Sequence, residues 1–79
     1  MKYKLLRSKT REKDGMKLYR IKAIQSFSDV KAGDIGGFVQ VECNLSQYGN
    51  CWVYNNACVS GDAVVRDDAI VKGCSRVLG

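Results

Sequence analysis

A six-residue spacing of valines in the second half of the chain constrains the fold more than any other feature. Beside it runs the unit V-x-x-[ND]-A-x, seen in VYNNAC, VSGDAV and VRDDAI. A period of six matches neither the 3.6 residues of an α-helical turn nor the alternation of a single strand. The valines, interrupted only at Gln47, are Val41, Val53, Val59, Val65, Val71 and Val77.

The repeat predicts a solenoid whose coils have three faces of six residues each. Valine would fill the interior, and the small residue four positions later would lie at a tight corner. Gly, Asn and Asp, which tolerate positive φ, accompany these corners. Ile35 extends the series backwards. We therefore predict a parallel β-solenoid of about 2.5 coils over residues 32–79.

Two segments within residues 17–77 carry a family resemblance. KLYRIKAIQSFSDVKAGDIGGFV and NLSQYGNCWVYNNACVSGDAVV resemble the opening of bacterial and phage solenoid proteins with hexapeptide repeats of the NARVYGNARV type. The resemblance implies a left-handed parallel β-helix, a hand opposite to the usual rule for parallel crossovers. The expected fold is all-β: an N-terminal β-hairpin followed by a short left-handed parallel β-helix.

The first thirty residues predict the hairpin. Lys2–Leu6 and Lys17–Ala23 show strand-like alternation, and Asp14-Gly15 between them is a strong turn signal. A chain of 79 residues makes a single domain, 1–79. Within it we expect residues 1–31 to form a basic hairpin or cap and residues 32–79 to form the solenoid.

Charge is divided unevenly between these two parts. Residues 1–31 hold ten basic and three acidic residues, a net charge of +7, whereas residues 32–79 hold three basic and five acidic residues, a net charge of −2. Such a basic flank suits an acidic protein surface, a nucleoprotein or another polyanion, although a simply solvated hairpin is an equal alternative. The cations expected to contact a partner are Lys4, Arg7, Lys9 and Arg11.

Two aromatic residues complete the predicted partner site. Trp52 and Tyr54 lie off the valine series, so we expect their side chains to point outward and to anchor a protein partner. The alternative is that both pack beneath the hairpin and close one side of the solenoid.

The cysteines raise the question of a metal. If coils are 18 residues long, Cys43, Cys58 and Cys74 would line one corner, where zinc would need a fourth ligand such as Asp62 or water. There is no C-x-x-C pair, and ordinary thiols are the favoured interpretation. No cofactor is therefore predicted.

The absence of histidine bears on catalysis. A chain without histidine excludes Ser-His and Cys-His hydrolases and histidine-containing zinc sites. The hexapeptide-repeat acyltransferases, to which the resemblance also leads, use a histidine base at a trimer interface. With no histidine and few coils, the chain is predicted not to be an enzyme.

The leading functional hypothesis is a small binding protein that occludes a macromolecular partner. Its concrete form, implied by the resemblance to phage proteins, is an inhibitor of host defence such as an anti-CRISPR protein acting on a type II effector nuclease. One alternative is a self-assembling module that pairs through the open solenoid end at Val77-Leu78-Gly79.

Another alternative is a nucleic-acid-binding protein that uses the basic residues of the first part of the chain, although only Tyr3 and Tyr19 lie among them to stack on bases. These cations are Lys2, Lys4, Arg7, Lys9, Arg11, Lys13 and Lys17. Without a long apolar segment or an apolar leader region, the expected location is the cytoplasm, away from membranes.

Overall fold

The structure, a computed structural model, describes residues 1–13, 15–73 and 76–78, and the described chain is built almost entirely from β-strands. The prediction of an all-β chain is confirmed. Among these residues, no helix has the length and apolar character required to cross a bilayer. The elements are β1 (Tyr3–Lys13), β2 (Met16–Ala23), β3 (Ile35–Val39), a 3₁₀ turn (Glu42–Asn44), β4 (Trp52–Val53), β5 (Cys58–Ser60), β6 (Ile70–Val71) and β7 (Arg76–Leu78).

Strands β1 and β2 form the N-terminal hairpin. They pair antiparallel from Tyr3 opposite Ala23 to Lys13 opposite Met16. Strand β1 continues well past Leu6, where the predicted strand segment ended, because a bulge accommodates residues 7–9 without partners on β2. The turn contains Gly15 at a φ of +79°, and the predicted turn residue Asp14 lies outside the described residues.

The hairpin continues into a mixed sheet. Strand β2 also pairs antiparallel with β3, and β3, β5 and β7 then pair in parallel, which gives the order β1-β2-β3-β5-β7. A second sheet holds β4 and β6 in parallel, and an isolated parallel bridge joins Leu45 to Val65. The hairpin therefore covers the edge that β3 would otherwise expose.

The parallel pairs revise the predicted register of the first coil. Cys58 pairs with Arg76, 18 residues later, but Phe38 pairs with Cys58, 20 residues later. Eight positions separate the inward-facing Leu45 from Val53, whereas the valines of the repeat beyond Val53 are six apart. Two extra residues thus lie in the segment between them, 46–52.

This insertion displaces the predicted inward positions at the start of the solenoid. Val39 and Leu45 are buried, whereas Ile35 and Val41 are 45% and 47% exposed. The valine series is therefore correct from Val53 onward and wrong before it, because the earlier inward residues lie two positions ahead of the regular grid.

The main core lies beneath the five-stranded sheet, and a smaller cluster lies on its outer face. The larger cluster joins Tyr3 and Ile21 of the hairpin to the inward residues of the coils. The smaller one consists of Leu18, Phe38 and Cys58. These clusters fix the hairpin against the first coil, so residues of β2 and β3 share one rigid surface.

Candidate partner-binding site

The outer face of the five-stranded sheet collects cations from the two hairpin strands. Alternate residues of a strand point to the same face, and paired residues lie side by side. Lys4 is opposite Lys22, Arg11 is opposite Leu18, and Arg20 is opposite Phe38. We call the surface formed by Lys4, Arg11, Arg20 and Lys22 the basic face.

Two arginines of the basic face stack on the same aromatic ring. The guanidinium carbons of Arg11 and Arg20 lie 4.9 and 4.8 Å from the centre of the Phe38 ring, and Phe38 itself is 6% exposed. Arg20 also donates to the side-chain oxygen of Asn56 and to the carbonyl of Asn55, both at 3.3 Å. All of these contacts are to neutral groups. They therefore orient the two guanidinium groups but do not neutralise their positive charge.

The lysines of the basic face form a like-charged pair. Lys4 and Lys22 are direct cross-strand partners, and like charges at such positions destabilise a sheet. An anionic group placed between them would remove that repulsion. The two lysines therefore extend the positive surface of Arg11 and Arg20 along the hairpin.

The other two predicted cations lie in the bulge of β1, outside the paired register that defines the basic face. Arg7 lies in the bulge, and its guanidinium carbon is 5.1 Å from the centre of the Tyr19 ring, on the opposite side of the hairpin. Lys9 lies in the same bulge and is exposed. Of the four cations predicted to act together, strand pairing places Lys4 and Arg11 on one surface, and it joins them to Arg20 and Lys22.

The prediction that Trp52 is an exposed anchor is wrong. Its side chain is 1% exposed, and its ring packs edge-on against Tyr3 at 6.2 Å and Phe27 at 5.2 Å between ring centres. The reason is that β1 and the segment around Phe27 cover this side of the solenoid. The alternative, packing beneath the N-terminal segment, is the one observed.

Tyr54 is also held by the fold. It is half-buried, and its hydroxyl donates to the Asp29 carboxylate at 2.5 Å. Burial, and then the hydrogen bond and negative charge of Asp29, raise the pKa of Tyr54 to about 12. Its polar end is thus engaged inside the chain.

The structure does not support the predicted corner of thiols. Cys58 lies in the sheet between Phe38 and Arg76, whereas Cys43 is exposed in the 3₁₀ turn. The 20-residue length of the first coil separates the two, since the prediction assumed 18. Cys74 lies outside the described residues, and within the described part no three metal-ligating side chains come together.

Lys2, which the nucleic-acid alternative placed among the surface cations, is 4% exposed. Its ammonium donates to the carbonyls of Gly49 at 3.2 Å and Cys51 at 2.9 Å, and it lies 4.5 Å from the centre of the Phe27 ring. The side chain of Gln47 accepts from the backbone N–H groups of Lys2 and Tyr3. Lys2 thus ties the N-terminus to the two-residue insertion instead of serving a partner.

Comparison with known proteins gives one partial likeness, and no family model matches the chain. The chain is similar to a protein of Escherichia coli (strain K12) named "Uncharacterized acetyltransferase YdcK", with 46% identity over 48 residues. That alignment covers 56% of this chain and 15% of the relative, so the chain spans only a small part of the relative's length.

The likeness corrects the prediction that the chain is not an enzyme, since it points, loosely, to an enzyme. The prediction rested on the absence of histidine and the small number of coils. The relative named as an acetyltransferase aligns with this chain over 15% of its own length, so the indication of an enzyme rests on that segment and not on catalytic residues.

Proposed function

We propose that the chain is a short left-handed parallel β-helix of the hexapeptide-repeat kind whose N-terminal hairpin supplies a docking surface for an acidic protein partner. Parallel pairing on three sides supports the fold: Val39 with Val59, Leu45 with Val65, and Val53 with Val71. Three pairings per coil are what a triangular coil requires. An acetyltransferase relative is in keeping with this fold, since hexapeptide-repeat solenoids include acyltransferases.

The observation that carries the binding proposal is the stacking of Arg11 and Arg20 on Phe38. A guanidinium binds a carboxylate through two parallel hydrogen bonds, and this geometry is favoured when the guanidinium plane is already fixed. The ring fixes both planes at the same place on a rigid sheet. Fixing them in advance lowers the entropy cost of binding an Asp or Glu side chain.

A protein partner suits this surface better than a single-stranded nucleic acid does. Bases bind such proteins by stacking on aromatic rings. The Phe38 ring is covered by Arg11 and Arg20, and Tyr19 is flanked by Arg7 and Lys17 at 5.1 and 6.0 Å. The rings beside the cations are thus already occupied by cations.

The test uses a fluorescein-labelled polyglutamate peptide and anisotropy at low salt. We compare the double variant Lys4→Gln/Arg11→Gln with the matched control Arg66→Gln/Lys72→Gln, which removes the same charges from exposed positions outside the five-stranded sheet. The basic-face variant should bind about tenfold more weakly, equivalent to about 1.4 kcal/mol. The control should change the dissociation constant by less than about twofold. If only net charge mattered, the two double variants would weaken binding equally.

Two outcomes would overturn the proposal. Equal weakening by both double variants would mean that the peptide responds only to net charge. Tighter binding of a labelled DNA duplex than of the peptide, with a steep dependence on salt, would favour the nucleic-acid alternative.

The narrower expectations stay predictions. An inhibitor of a type II effector nuclease would need a specific acidic target, and no residue of the basic face specifies one. Pairing of two copies through the end of the solenoid would involve β7, which lies at one edge of the five-stranded sheet.

A further inference from the structure

A buried lysine touches a buried cysteine at the N-terminus of the chain. The ammonium nitrogen of Lys2 lies 3.4 Å from the sulfur of Cys51, and the two side chains are 4% and 0% exposed. Neither residue belongs to the basic face. The pair is therefore independent of the proposed binding function.

The surroundings hold both atoms in place. The lysine nitrogen is fixed by the carbonyls of Gly49 and Cys51. The sulfur lies 3.6 Å from the carbonyls of Ser46 and Tyr48, as a thiol donor does. The fold thus holds the nitrogen of Lys2, a nucleophile when it is not protonated, next to the oxidisable sulfur of Cys51, 49 residues away in the sequence.

A surface depression lies against the Lys2 side of this pair. This depression of about 440 Å³ is lined by Met1, Lys2 and Gln47, among others. Hydrogen peroxide is small enough to enter such a space. The cysteine that it would meet beside Lys2 is Cys51.

We propose that Lys2 and Cys51 form an oxidative covalent cross-link, a sulfur–nitrogen bond made at the expense of peroxide. In the first step the Cys51 thiol is oxidised by one hydrogen peroxide to the sulfenic acid, with release of one water. In the second step the neutral amine of Lys2 attacks that sulfur, the sulfur–oxygen bond breaks, and the hydroxide leaves as water with a proton from the amine. The thiol and amine together lose two hydrogens, and one peroxide becomes two waters.

The cross-link would join the residue that precedes β1 to segment 46–52, which holds the two-residue insertion. It would close a ring between residues 2 and 51, which restricts the unfolded chain as a disulfide does. A thiol reductant would reverse it: two thiols give a disulfide and regenerate the cysteine and the amine. The site would thus make the attachment of the N-terminal hairpin sensitive to oxidation.

The experiment compares two chains that each keep one cysteine. The first chain keeps Cys51, and the second keeps Cys58. In each of them the other three cysteines are replaced by serine. Cys51 and Cys58 are both buried and fall between the same trypsin sites, Lys31 and Arg66, so digestion treats them alike. Each protein is treated with hydrogen peroxide at mildly alkaline pH, digested and analysed by tandem mass spectrometry.

The Cys51 chain should give a peptide that joins the N-terminus to residues 32–66, lighter than the sum of its parts by two hydrogens and released by dithiothreitol. At least about tenfold less of it should form in the Cys58 chain. The variant Lys2→Arg keeps the positive charge and the N-terminal amine, and it should form none. As a second readout, peroxide should raise the urea unfolding midpoint of the Cys51 chain but not that of Lys2→Arg.

Three results would overturn the proposal. One is a Cys51 peptide that gains oxygen without joining another peptide. Another is equal linkage in the Cys51 and Cys58 chains. The third is linkage that persists in Lys2→Arg, which would assign the bond to the N-terminal amine. If the serine variants unfold, the same peptide mapping is applied to the natural chain, where fragment ions distinguish Cys51 from Cys58.

Discussion

Replacing Lys2 by methionine tests whether the buried ammonium holds the N-terminal strand on the solenoid. Methionine keeps most of the length and apolar volume of lysine but removes the charge and the donors. The carbonyls of Gly49 and Cys51 would lose their contacts at 3.2 and 2.9 Å, and the Phe27 ring would lose its cation at 4.5 Å.

The magnitude follows from opposing effects. The buried carbonyl of Cys51 costs about 1–3 kcal/mol when it loses its donor, and the part-buried carbonyl of Gly49 costs less. A buried cation–π contact is worth about 1–2 kcal/mol. The ammonium no longer has to be removed from water, which returns several kcal/mol. Because three contacts are lost for one desolvated charge, we expect a net destabilisation of about 2 kcal/mol.

The assay is thermal and urea unfolding followed by circular dichroism, with Lys4→Met as the control. Lys4, two residues later and within β1, is an exposed cation, and its replacement should change the free energy of unfolding by less than about 0.5 kcal/mol. For a chain of this size, about 2 kcal/mol lowers the melting temperature by about 10 °C. A Lys2→Met protein that melts with or above the natural chain would contradict this prediction, because desolvation of the ammonium would then outweigh its contacts.

Two further predictions concern the close approach of the coils and the response to pH. A Cβ on Gly37 would lie 2.5 Å from the carbonyl oxygen of Ala57, so Gly37→Ala should destabilise the fold by more than about 2 kcal/mol in urea unfolding. The control Gly33→Ala places its Cβ in open space at a φ of +99° and should cost about 1 kcal/mol in the same assay. Burial and Asp29 raise the pKa of Tyr54 from 10.0 to about 12. The contribution of neutral Tyr54 to the free energy of unfolding is therefore complete below pH 10 and is lost as pH rises towards 12. Asp29→Asn should lower that pKa in an ultraviolet titration of tyrosinate, and an unchanged titration would show that Asp29 has no part in the shift.

The repeat predicted the coils where one hexad follows another without interruption. From Val53 onward, each valine of the repeat lies six residues after the one before it, and Val53 and Val59 are fully buried. Upstream, positions 39 and 41 are both valine, so the pattern could not reveal that Val39 points inward and Val41 does not. The insertion that decides it becomes visible only when Phe38 pairs with Cys58.

The candidate site was predictable only in part, because the local pattern does not show which strands pair in the tertiary fold. Alternation alone places Arg20 and Lys22 with Leu18 on one face of β2. Their neighbour Phe38, however, comes from a strand that pairs with β2 in the tertiary fold. Burial of Lys2 left no local signal either, because its acceptors are backbone carbonyls 47 and 49 residues away.

The most direct test of the central claim is a map of amide chemical shifts in the natural chain during titration with the polyglutamate peptide. We predict shifts concentrated on the basic face and on Phe38, with little change around Arg66 and Lys72, and with weakening as salt is raised. Shifts of equal size at Arg66 and Lys72, or shifts that avoid Arg11 and Arg20, would contradict the account.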